Sequence, residues 1–393
     1  MPILPGEARL LFLACRPDAV CSDSYMAAFA ASRPDWRAVG VLAEREKLLP
    51  ILWGYLRDHA ELIPAPVREA FRRQAAVTEF RMAATETTLH QVVRALAEEG
   101  IRVMLLKGAA LATTVYGSFA KRPMDDLDIL VTPEDAPRAW DCLRERGWAL
   151  EYEDGEEFYD SFHHLPALVD PSALKLVLEI HRSMMPQPGP FELDEREVWR
   201  DARPVQLGST EAWVPSTNHL LLHLSVHFAW SHMFRGIGRT VRDVATLIAF
   251  EPVDWGGFAD LALRARAATC AYWTLAITQS LTGMEVPPEV LARLRPRQPR
   301  MVTQFLERTY ITNGLFRTCP SLRAANLAWA AGILPEASRH GQSRPWHAGE
   351  RFQTVFGVGR GRPTFGERVT AQLRLAGRWW RFGRSLISQR RVN

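Results

Sequence analysis

Residues 101–131 read IRVMLLKGAALATTVYGSFAKRPMDDLDILV, and the fold turns on how this stretch divides. The apolar run Ile101, Val103, Met104, Leu105 and Leu106 has the length of a buried strand. It breaks at Lys107-Gly108 and gives way to a helix-compatible segment from Ala109 to Tyr116. A second strand, Asp126-Leu127-Asp128-Ile129-Leu130-Val131, closes the unit. Side chains alternate along a strand, so Asp126 and Asp128 share one face while Leu127, Ile129 and Val131 point into a core. Two readings of the acidic pair stand here. Acids at a strand start often form only a solvated turn. Alternatively, like charges this close, flanked by apolar residues, call for a cation, and hard divalent ions such as Mg2+ take carboxylate oxygens while leaving sites open for phosphate.

Working outward, Pro64 and Pro66 introduce an amphipathic segment that runs to about Glu99, with Val67, Phe71, Val77, Phe80, Leu89, Val92, Val93 and Leu96 near helical spacing and Gly100 as its stop. Before it, helices punctuated by prolines place Trp36, Val41, Leu48, Leu49, Leu52 and Trp53 in a core. After residue 131, Pro133 sets a turn, Glu134 to Glu145 reads as a helix ended by Gly147, and Trp148 to Tyr152 reads as a strand. In Leu174–His181 (LKLVLEIH), Leu176, Leu178 and Ile180 share one face and Val177, Glu179 and His181 the other, so Glu179 is a third carboxylate available to a sheet face. A short strand near Ala212–Val214 precedes a helical half, in which Ser216 caps a helix from Thr217 to about His232. His219, His223 and His227 on that helix follow i, i+4 spacing, which suits a transition metal. The surrounding leucines suit a packed helix instead, and core histidines with hydrogen-bond partners are the expectation. Further helices are expected over Thr240–Phe250, Trp255–Leu281 and Glu289–Leu294.

The chain has 393 residues, 47% hydrophobic and 23% charged, which fits a globular protein of two or three packed subdomains. A formal net charge of +4 is too mild to name a polyanionic partner. From Arg360 to Asn393, however, nine arginines face the single acid Glu367, which makes the end of the chain a basic arm. Arginines there interleave with Trp379, Trp380 and Phe382, a pattern shared by an RNA or anionic-membrane contact and by a helix packed through its tryptophan face. Five scattered cysteines form no CxxC pair, which argues against zinc or redox work. With no apolar run of spanning length, no transmembrane segment is expected and the cytoplasm is the expected location.

Lys107-Gly108, Arg122-Pro123-Met124, Asp126-Leu127-Asp128 and Glu179-Ile180-His181 together resemble the nucleotidyltransferase superfamily that shares the DNA polymerase β catalytic fold. Within it, the pattern of LKG, an apolar helix, RPMxDxDxLV and a later acid-x-His strand is similar to that of a bacterial nucleotidyltransferase family. The likeness continues through HLLLHLSVHF and RDVATLI and spans roughly Trp36 to Leu281. The resemblance, together with the helical patterns around it, gives the expected α+β fold: a small mixed β-sheet core at 101–215, an N-terminal helical region at 1–100, a helical substrate-side domain at 216–300, and a C-terminal helical region with the basic arm at 301–393. It implies that Asp126, Asp128 and Glu179 are catalytic and hold Mg2+, with Mn2+ as an alternative ion, and that a nucleoside triphosphate is a substrate.

Two turns match the superfamily's phosphate-binding signature, Lys107-Gly108-Ala109 and Tyr116-Gly117-Ser118. Only seven residues separate Ser118 from Asp126, too few for a helix and a crossing loop, so Lys107, Gly108 and Ala109 are the expected nucleotide-binding turn and Gly117-Ser118 the helix end. Ala109 stands where the family has glycine or a small polar residue. Arg122 either reaches phosphate or pairs with Asp125. His181 lies on the Glu179 face, to orient that acid or to touch substrate, while His163 and His164 in a loop are either substrate contacts or ordinary surface histidines. The leading expectation is an enzyme that transfers a nucleoside monophosphate, most simply AMP, to a hydroxyl or similar group of an unidentified small-molecule or macromolecular acceptor. Two alternatives stand beside it: a nucleotide-binding regulatory or partner protein of a biosynthetic cluster without turnover, and a toxin-like enzyme that modifies tRNA held by the basic arm.

Overall fold

The computed structural model of the chain describes residues 4–17, 19–151, 162–187, 189–316, 328–329 and 331–333. All of them fall in one compact unit, Met1–Glu336. The basic arm, the helix expected in it, Cys319 and the end of the strand expected at Tyr152 lie outside the described residues.

Local signals set the N-terminal helices. Helices α1 (Gly6–Ala14), α2 (Asp23–Ala31), α3 (Trp36–Arg45) and α4 (Leu49–Leu56) follow one another closely. Ser22 caps α2 by accepting from the Tyr25 N–H, and Asp35 caps α3 by accepting from Arg37 and Ala38. Helix α5 (Ala65–Glu98) runs 34 residues, with Pro66 in the first turn, where its missing N–H costs nothing. Gly100, at φ 74°, turns the chain back toward the sheet. The C-terminal half of α5 buries Leu89, Val92, Val93 and Leu96. Val77 and Phe80 on its other half, and Val41 on α3, are exposed, contrary to the core positions that their spacing predicts.

The sheet is assembled from β1 (Met104–Leu105), β2 (Asp126–Leu130), β3 (Ala149–Leu150), β4 (Leu168–Val169), β5 (Val177–His181), β6 (Arg203–Leu207) and β7 (Thr210–Val214) in the order β3-β4-β5-β2-β1-β7-β6. β2 runs parallel to β5 and antiparallel to β1, and β1 runs parallel to β7, so the sheet is mixed and the fold is α+β. Gly208, at φ 64°, supplies the backbone for the two-residue β6–β7 hairpin. Leu127, Ile129, Leu178 and Ile180 are buried under the sheet, as strand alternation requires. A cluster of Met104, Leu106, Leu130, Met184 and Val198 fills the opposite side. The expected strand at 101–106 contracts to Met104–Leu105 because helix α6 (Lys107–Leu111) begins immediately.

Beyond α7 (Ala136–Glu145) and α8 (Glu195–Arg200), the chain after β7 is helical: α9 (Thr217–Val226), α10 (Ile237–Phe250), α11 (Trp255–Arg264), α12 (Ala268–Thr282), α13 (Pro288–Leu294) and α14 (Arg300–Phe316). The helical span expected over Trp255–Leu281 is divided into α11 and α12 at Arg266, whose φ is 55°. α9 is apolar around most of its surface and correspondingly buried, packed on α11, α12 and the short α6. Its contact with α6 brings the histidine helix to the Lys107 turn.

Candidate active site

Register, not proximity in sequence, assembles the site. Parallel pairing of β2 with β5 sets Asp128 opposite Glu179 and Leu130 opposite His181, so the carboxylates of two strands 51 positions apart share one face. Asp126, the first residue of β2, opens to solvent at the edge of this face, whereas Asp128 is buried. Lys107 reaches in from the end of β1, its Nζ 2.6 Å from Asp128 Oδ1. The Nε2 of His181 lies 2.9 Å from the same oxygen and 3.4 Å from Glu179 Oε2. Lys107 holds φ at 44°, a left-handed conformation that costs a non-glycine residue on the order of 1–3 kcal/mol. That strain is offset by the buried ion pair which the conformation allows.

The charges adjust to one another. Burial opposes ionisation of Asp128, but the Lys107 ammonium and the His181 hydrogen bond outweigh it and hold the acid well below the usual carboxylate range. Burial likewise opposes the charged forms of Lys107 and His181, and the carboxylates prevail, raising both. Asp126, hemmed in by protein on its inner side and facing the Asp128 charge, is raised despite the nearby lysine. Asp128, Glu179 and His181 bring ligand atoms within 4.8 Å of one another, two carboxylates and an imidazole that could hold a divalent ion, while Asp126 stands outside that group at the edge of the same face. Glu197, Asp201 and His219 are equally close, but Arg264 and Arg200 already pair with those acids.

His163 and His164 are half-buried against the site, and each ring centroid is 5.4 Å from that of His181. A β-bridge between His164 and His181 places them there, a long-range pairing with no local sequence signal. Lys107, His163, His181, His223 and His227 line a small cavity with room for about one water molecule. The expectation that the helix histidines are buried holds for His219 and His223. The expectation that each finds a partner does not: Ser216 bonds His219 and His232 bonds His227, but Nδ1 of His223 has no partner among the described residues.

Arg122 does not pair with Asp125. Its Nε donates to Asp243 Oδ1 at 2.7 Å, and Tyr116 donates to the same oxygen at 2.9 Å. Asp125 pairs with Lys47 instead. Gly108 and Ala109 are buried in the first turn of α6. A Cβ on Gly108 would stand 3.2 Å from the Arg122 guanidinium, so the glycine admits that arginine. Gly117, at φ 61°, ends the helical turn after α6, and Ser118 caps the next one by accepting from Ala120. Sequence reasoning missed Lys47 and Arg239, which face Asp126 from the helical regions. Burial and then Arg239 lower Lys47 to about 8, and burial and then Arg122 lower Arg239. No hydrogen bond or ion pair holds Arg239 among the described residues.

An acid-sensitive element follows from the same geometry. The facing ring nitrogens of His227 and His232 are 2.8 Å apart, and burial, then Arg239, push His232 down to about 4. Unfolded histidine titrates near ~6.5, so the stabilisation from keeping His232 neutral is fully present above that pH and is lost as pH falls toward 4, about 3 kcal/mol in all. Urea melts at a series of pH values are expected to show this loss in the wild type and a loss smaller by about that amount in His232→Gln.

Two parallel strands thus present carboxylates to a lysine-bearing turn beside a helical bundle. The chain belongs to a family described as uncharacterised nucleotidyltransferases, whose model matches residues 32–283, and it is accordingly a nucleotidyltransferase enzyme. No curated protein matches the chain.

Proposed function

We propose that the protein is a Mg2+-dependent enzyme that transfers a nucleoside monophosphate, most simply AMP, from a nucleoside triphosphate to a hydroxyl or similar group of an acceptor. The observation that carries this reading is the common face shared by Asp126, Asp128 and Glu179. Asp126, Asp128 and Glu179 would hold the divalent ion, with Mn2+ able to replace it, and the bound ion would offset negative charge on the phosphoryl oxygens. The Lys107 ammonium and the backbone of Gly108 and Ala109 approach phosphate at the start of α6. Arg239 and Lys47, two cations beside Asp126, anchor the departing pyrophosphate end. Arg122 acts on this turn through its bond to Asp243. His181 orients Asp128 and Glu179, and His163 and His164 close the acceptor side together with α9.

In this reading residues 101–215 form the catalytic core, 1–100 brace it, and 216–300 shape the acceptor side. Cytoplasmic residence and an RNA contact through the basic arm belong to the proposal. No described helix is long and apolar enough to cross a membrane. The test is incubation of the full chain with Mg2+ and each nucleoside triphosphate in turn, with and without cell extract. Pyrophosphate and a nucleotide-labelled product are expected, and both are expected to vanish in Asp126→Ala/Asp128→Ala. Tight nucleotide binding with no product under any condition would replace this reading with a regulatory nucleotide-binding protein.

A further inference from the structure

Lys107 stands where a carboxylate triad would otherwise invite a second metal ion. Its Nζ is 2.6 Å from Asp128 Oδ1, an oxygen that also bonds His181 at 2.9 Å, so both contacts leave only Oδ2 of that acid for a metal. The lysine side chain is only 11% exposed and its backbone is fixed at φ 44°, so the ammonium is placed by the chain rather than by a mobile side chain. A divalent ion on the same oxygen would lie within ~5 Å of the ammonium, with like charges facing each other in a poorly solvated site.

We propose that Lys107 is a built-in cation that stands in for a second divalent ion at this carboxylate face, so that this protein takes a single ion, held by Glu179 and the second oxygen of Asp128 with Asp126 at the edge of the same face. The proposal rests on the nucleotidyltransferase reading of the site. A fixed ammonium neutralises Asp128 at every metal concentration and offers N–H donors to a phosphoryl oxygen. It cannot coordinate water, so proton acceptance from the acceptor falls to Asp126 or Glu179.

The experiment counts Mn2+ bound to the full chain saturated with an ATP analogue carrying a methylene bridge between its α and β phosphorus atoms, by the magnetic resonance signal of free Mn2+. One ion per chain is expected in the wild type and in Lys107→Arg, and two in Lys107→Met. Circular dichroism reports whether each variant is folded; if Lys107→Met is not, a count of one in both the wild type and Lys107→Arg supports the proposal. Two ions in the wild type, or one in folded Lys107→Met, overturn it. No bound Mn2+ in any variant, with the analogue bound, overturns both the proposal and the metal-dependent reading. One ion in the wild type and two in Lys107→Met, with no transfer in any assay, supports the role of Lys107 and overturns the reading of the activity alone.

Discussion

Asp126→Asn is expected to lower nucleotidyl transfer by at least about 10³-fold while leaving the folded protein as stable as the wild type or slightly more so. The two effects separate because of where Asp126 sits. It is exposed on its outer side at the first position of β2 but hemmed in by protein on its inner side, and that crowding together with the Asp128 charge raises its pKa, so without a cation its charge is a burden on the fold. Removing that charge relieves repulsion but takes away a ligand. Asp128 contrasts with it. Its carboxylate is buried and bonds both Lys107 and His181, so Asp128→Ala strands the buried Lys107 ammonium, leaves His181 only its 3.4 Å contact with Glu179, and is expected to cost about 3–5 kcal/mol in addition to activity. Turnover measured alongside denaturant melts of both variants checks this. Equal destabilisation by the two substitutions would contradict the arrangement.

Asp243→Ala is expected to destabilise the protein by about 3–5 kcal/mol, although Asp243 touches none of the carboxylates. Its Oδ1 accepts from Arg122 at 2.7 Å and from Tyr116 at 2.9 Å, and all three residues are buried. Truncation leaves the Arg122 guanidinium without its counter-charge. Arg122 lies in the turn that leads into Asp126 and packs on Gly108, so the damage should reach the site as lost transfer even where the fold survives. Tyr116→Phe removes only a neutral donor and should cost about 1–3 kcal/mol. Urea unfolding of the two variants compares them, and a loss under about 1 kcal/mol for Asp243→Ala would mean the pair does not join α10 to the catalytic turn.

The strands that carry the acids were legible because their signal is local. Period-two alternation in DLDILV and LKLVLEIH assigns each side chain to a face, and the faces found are those expected, with Leu127, Ile129, Leu178 and Ile180 inside. The α+β class followed from the resemblance and from the helical patterns around that unit. What joins the strands was not legible. The Asp128–Glu179 register, the Arg122–Asp243 pair across 121 positions, and the docking of His163 and His164 on His181 depend on tertiary packing that leaves no trace in spacing. β4 was missed because two residues carry no periodicity, and β6 because Pro204 argues against a strand except in an edge position, which is where β6 lies. Val77 and Phe80 misled in the opposite direction. Helical periodicity continues along α5 beyond the half that packs against the sheet, so spacing alone overstates what the core covers.

Nucleotidyl transfer requires that the α-phosphorus of a nucleoside triphosphate be the atom attacked. The most direct measurement supplies ATP labelled either at the α or at the γ phosphorus to the protein with Mg2+ and a cell extract as the source of acceptor. Label from the α position appearing on a new product, with pyrophosphate released and with both lost in Asp126→Asn, is the predicted result. Transfer of the γ label with release of a nucleoside diphosphate would contradict the account.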